Sequence, residues 1–131
     1  MMKFLQPEEW VAPKGYANGI SATGRQVFVS GMIGWDAAGI FHSDDFVEQL
    51  RQALHNVVRV LQEGGAKPEH IVRMTWYVVN KAEYIASYSE IGKAYREIIG
   101  RHFPCMSAVQ VAALIEDRAK VEIEVTAVVP E

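Results

Sequence analysis

Glu122 stands where a carboxylate is least expected, inside Lys120-Val121-Glu122-Ile123-Glu124-Val125. In an extended strand Val121, Ile123 and Val125 point one way, while Lys120, Glu122, Glu124 and Thr126 point the other. If a subunit interface covers Glu122, desolvation raises its pKa and fits it to act as a general base or to hold an attacking water. If it stays exposed, it pairs with Lys120 or another cation and does no chemistry. Tyr16 follows Lys14-Gly15 at the edge of the first strand, where a phenol can reach a cleft or simply pack. These two readings stay open on pattern alone. His102 and Cys105 lie three apart, which fits a loop histidine and a small buried thiol better than a thiolate centre. His42, His55, His70 and His102 show no paired ligand spacing, and one cysteine cannot build a thiolate zinc site, so no metal site is expected. No Gly-x-Gly-x-x-Gly or Walker pattern occurs, which argues against nucleotide binding.

The chain that must position these groups has 131 residues, half of them hydrophobic, and a formal net charge of -3. That length suits one domain, residues 1–131, whose core needs no disulfide or metal. An acidic balance argues against a nucleic-acid partner, since phosphate recognition concentrates Lys and Arg. Every apolar stretch is interrupted by polar residues, so no membrane span is expected. The N-terminus lacks a secretory pattern, and a cytoplasmic location is expected.

Residues 1–14 carry Pro7 and Pro13 without periodicity and read as an extended arm. Gly19 to Ala22 and Arg25 to Gly31 read as a hairpin across Thr23-Gly24, followed by a short strand from Met32 to Trp35. Phe46, Leu50, Ala53, Leu54, Val57, Val58 and Leu61 recur at spacings of three and four, predicting an amphipathic helix capped by Asp45 and stopped at Gly64-Gly65. Ile71 to Val79 is β-branched and aromatic and reads as a buried strand, apolar on both faces. A second helix opens at Asn80, presents Tyr84, Tyr88, Ile91, Tyr95 and Ile98, and closes at Gly100. Met106 to Val111 and Lys120 to Val128 supply the last strands. The expected fold is α+β, with two helices on one face of a mixed sheet. The sheet's other face then needs a cover, and packing of subunits through it would enclose the carboxylates in a cleft.

Several segments resemble the Rid family, also called the YjgF or endoribonuclease L-PSP family. They are Gly15-Tyr16-Ala17-Asn18-Gly19, Val27 to Gly34, Gln49 with Ala53-Leu54-x-Asn56-Val57, Glu63-Gly64-Gly65-Ala66, Phe103-Pro104-Cys105-Met106-Ser107 and Val121-Glu122-Ile123-Glu124. The resemblance covers nearly the whole chain. It implies a chorismate-mutase-like subunit assembled as a homotrimer, with small-molecule clefts between subunits and hydrolysis of reactive enamines or imines without a cofactor. Within it Glu122 matches the water-holding carboxylate, Tyr16 the cleft tyrosine, and Gly31 with Met32 the backbone turn that lines the site. Cys105, Met106 and Ser107 fall on the substrate-binding strand. The family's pattern places an Arg after Pro-Ala to clamp a substrate carboxylate, and here that position is Met106. Arg73, Arg96 and Arg101 are candidates to replace it. Otherwise the ligand lacks a carboxylate there, and Cys105 with Met106 makes a softer pocket for a larger or conjugated ligand. The expectation is a deaminase of an enamine or imine, such as an aminomuconate-type compound. The alternative is a non-catalytic binding or regulatory trimer. The family's ribonuclease label is disfavoured by the charge.

Overall fold

The longest helix forms where the periodicity places it. In this computed structural model, which describes residues 2–131, α1 runs Phe46–Glu63. Asp45 accepts a hydrogen bond from the Glu48 amide at 3.0 Å. At the other end Gly65 adopts φ 70°, a conformation a side chain would resist. Leu50, Ala53, Leu54, Val57 and Leu61 form a fully buried stripe, which is the face α1 turns to the sheet.

That sheet has four strands: β3 (Arg25–Ile33), β4 (Ile71–Val78), β5 (Cys105–Gln110) and β6 (Val121–Val129), in the order β3-β6-β4-β5. β6 pairs antiparallel with both β3 and β4, whereas β4 and β5 run parallel, so the sheet is mixed. The parallel pair requires a crossover. It is supplied by α2 (Lys81–Ala86) and α3 (Tyr88–Ile98). Three helices therefore replace the two expected, because the segment after Asn80 breaks at Ser87. There the helical backbone relaxes to ψ 10°, and the Ser87 amide bonds back to Tyr84 O at 3.2 Å. Serine is a weak helix former that competes for local backbone bonds. The expected Asn80 cap is present, accepting from the Glu83 amide at 3.0 Å. No helix among the described residues is long and apolar enough to cross a membrane.

Two expectations about the first strands are corrected. β2 (Gly19–Ala22) does not form a hairpin with β3; it pairs antiparallel with β1 (Met2–Leu5), inside the segment read as an unpatterned arm. Gly24, at φ 150°, lies so close to the Val129 carbonyl that a Cβ would collide with it, and the chain continues into β3 beside β6 instead of folding back. Met32 and Ile33 continue β3 across a bulge after Val29 and do not start a separate strand.

Met74, Trp76 and Val78 of β4 and Val121, Ile123 and Val125 of β6 are buried under α1 and α3 with the core. The opposite face is more polar than the sequence suggested. It carries Arg73, Thr75 and Tyr77 from β4 beside Thr126, Glu124 and Glu122 of β6, in register. Phe28, paired with Thr126, adds a ring that is 69% exposed. The apolar half of β4 lies entirely beneath the helices.

One buried polar residue ties these layers together. Gln49, 1% exposed, donates to Ser43 O and Arg118 O, each at 3.0 Å, and accepts from the Lys120 amide at 2.8 Å. Asn56 similarly donates to Ile33 O at 3.0 Å and Trp35 O at 2.8 Å, holding the end of β3 against α1.

Candidate functional site

Between α3, β5 and the segment 14–16 lies a cavity of about 660 Å³. Tyr16, Trp76, Tyr84, Tyr88, Arg96 and Met106 contribute to its wall. The rings brace one another: Trp76 meets Tyr84 edge-on at 6.4 Å, and Tyr84 meets Tyr88 edge-on at 5.4 Å. Burial pushes the Tyr84 phenol above its ordinary pKa, so it stays protonated as a donor. Burial does the same more strongly to Tyr95, whose hydroxyl donates to His102 O at 2.6 Å and anchors the loop behind the cavity. The Trp76 indole N–H is buried in this wall without an acceptor among the described residues.

The second constellation lies on the opposite face of the sheet. Glu122 is half-buried and packs over Gly31, where a Cβ would come within 2.6 Å of the Glu122 carboxyl carbon. Glycine is thus the residue that lets the carboxylate lie flat against β3. Glu122 has no hydrogen bond or ion pair among the described residues. Tyr77, in register with Glu122, donates its hydroxyl to Glu124 at 2.6 Å. That bond, with smaller contributions from desolvation and the two nearby carboxylates, raises the Tyr77 pKa.

The residues singled out from the sequence therefore divide. Tyr16 and Met106 line the cavity; Glu122 and Gly31 stand on the other face. Cys105 and Ser107 flank Met106 in β5, so alternation turns them away from the cavity, and neither contributes to its wall. Cys105 and Met106 thus stand on opposite faces of β5, with Cys105 on the side of Glu122. Met32 packs against the core, leaving only its backbone beside Gly31. Of the three arginines, Arg96 enters the cavity with Met106, Arg73 lies on the open face, and Arg101 borders a separate hollow near Phe4 and His102. His102 Nε2 lies 2.6 Å from Ile71 O and so carries the hydrogen, which gives this residue a structural role. The ring box of Tyr84 and Tyr88, and the Tyr77–Glu124 pair, were not recognised as site groups. Their signals are the tyrosines four apart in sequence, on either side of the break at Ser87, and the carboxylate two residues beyond Glu122.

The chain is similar along almost its whole length to known proteins. A 2-iminobutanoate/2-iminopropanoate deaminase of Salmonella typhimurium is 32% identical over 132 residues, covering 98% of both chains. A RutC family protein of Synechocystis is 31% identical over 131 residues, again covering 98% of both. The crystal structure of YyfB, a Rid-family protein of unknown function from Yersinia pestis, superposes with a TM-score of 0.86 at 28% identity, covering 98% of each chain. The profile described as Endoribonuclease L-PSP matches residues 8–129, and the chain belongs to this family, the Rid family.

Proposed function

We propose that the protein is a cofactor-free hydrolytic deaminase of a reactive enamine or imine, working as a homotrimer with its sites between subunits. The observation that carries this reading is the unpaired Glu122 carboxylate seated on Gly31. It is supported by the likeness to an imine deaminase along almost the full chain.

The chemistry asked of the site is limited. An enamine takes a proton on carbon and becomes an imine; water adds to the imine carbon; the carbinolamine then loses ammonia as the C–N bond breaks and the carbonyl forms. In this reading Glu122 holds the water and removes its proton, and Tyr16 donates a hydrogen bond or proton to the reacting group. The Gly31 and Met32 backbone orients the substrate.

Within one chain the sheet separates Glu122 from Tyr16. The two act together only if the open face of one subunit meets the cavity edge of its neighbour. Such packing would also cover Phe28, Tyr77 and the Glu122–Glu124 pair. The ring-lined cavity and Met106 favour a larger conjugated substrate, of the aminomuconate type, over a short imino acid. Met106 in place of an arginine also favours a second reading, a trimer that binds a small molecule without turning it over.

Ammonia release decides between them. It is measured with 2-aminomuconate and with 2-iminopropanoate generated in place, on protein shown to be trimeric and folded. Release from either supports the deaminase, with faster turnover expected for 2-aminomuconate; release from neither removes it.

A further inference from the structure

The cavity beside Met106 has a charge pattern as distinct as its shape. Besides its rings it is lined by two full charges, Lys14 and Arg96, both positive, and by no Asp or Glu. Ring faces alone would suit a cation. Two fixed cations at the same cavity oppose one and favour an anion. Arg96 is also uncommitted: among the described residues it makes no hydrogen bond or ion pair. Its nearest acidic neighbour in sequence, Glu97, is held by Arg51 at 2.6 Å. Gly92, one turn earlier on α3, clears room for the guanidinium, since Arg96 Nη1 lies 3.3 Å from the point a Cβ would occupy there. A side chain at position 92 would touch the guanidinium and shift it by a few tenths of an ångström.

We propose that Arg96 pairs with the carboxylate of a planar conjugated or aromatic acid whose π-system lodges among Trp76, Tyr84 and Tyr88. Guanidinium matches carboxylate geometry at two points, which a flexible ammonium such as Lys14 does not. Met106 then serves as an apolar wall beside the π-system while the anion is recognised from the helix. That the bound acid is a substrate rests on the deaminase reading; that it binds through Arg96 does not.

The test is calorimetric titration of the full-length protein with cinnamate, using cinnamamide as the neutral counterpart. Saturable cinnamate binding is expected, with cinnamamide at least about tenfold weaker. Arg96→Met should raise the cinnamate Kd by about tenfold to a hundredfold and leave cinnamamide unchanged. Arg96→Lys, which keeps the charge and removes the fork, should fall between, and Gly92→Ala should weaken cinnamate in the same direction. No cinnamate binding by the wild type, or equal binding by wild type and both Arg96 variants, overturns the assignment. Binding that follows Arg96 in a protein releasing no ammonia from 2-aminomuconate or from 2-iminopropanoate would keep this site and remove the deaminase reading. Turnover indifferent to Arg96, with no cinnamate binding, would do the reverse.

Discussion

Gly31 is the residue at which one methyl group reaches furthest. An alanine there would strike the Glu122 carboxylate and displace it from β3. Gly31→Ala should therefore lower ammonia release by tenfold or more while the circular dichroism spectrum is kept. Glu122→Gln should reduce turnover by about 10²–10⁴, the usual contribution of a general base, with the oligomer intact by light scattering. Gln49 makes the contrasting prediction, because it serves the fold alone. Gln49→Leu leaves the Lys120 amide and the Ser43 and Arg118 carbonyls without their partner. Urea denaturation should show a loss of about 2–4 kcal/mol, since each stranded buried group costs about 1–3 and some regain water. At this scale the sequence was informative about identity and poor about direction. Glu122, Tyr16 and Met106 could be selected from their neighbours, but whether each faced helix or open sheet depended on which strands became neighbours.

Elements whose signals are local came out as expected. Asp45, the apolar stripe and Gly64-Gly65 fix α1 within a few turns of chain, and Asn80 with Glu83 opens α2. Pairing between distant segments was harder. Met2 to Leu5 has no alternation that announces β1, so its claim on β2 was invisible and the nearer β3 looked like the partner. β4 presented apolar or aromatic residues at nearly every position, and only the placement of α1 and α3 decides that Trp76 is buried and Tyr77 is not. The loop after β3 gives a pH prediction. Asp36 accepts from His42 at 2.6 Å and from the Ala38 and Ile40 amides, and the His42 bond, first among these, holds its carboxyl below the ordinary value. A depressed folded pKa stabilises the loop above the unfolded carboxylate value of about 3.9 and is lost as pH falls through the lower folded value. The Ala38 and Ile40 amide shifts should titrate together with a midpoint below about 3.9. A midpoint at or above that value contradicts the assignment.

At the scale of the whole molecule, the proposed function depends on the separation of Glu122 from Tyr16 by the sheet. The open face carries Glu122, Gly31, Tyr77 and the exposed Phe28, and the cavity carrying Tyr16 opens on the other side of the sheet. Composition gave no hint of this division, since the open face comes from alternate positions of β4 and β6 while most of the cavity wall comes from α2, α3 and the segment before β2. If subunits pack through the open face, Phe28→Arg should shift the protein toward a lighter species in light scattering and remove turnover with it. The most direct measurement mixes two disabled proteins, Glu122→Ala and Tyr16→Phe, in equal amounts under conditions that exchange subunits. With Glu122 and Tyr16 contributed by different subunits, about a quarter of all sites after random exchange regain both groups, and ammonia release should recover toward about a quarter of the wild-type rate. Mixed oligomers that form and remain as inactive as either parent would contradict a site shared between neighbours.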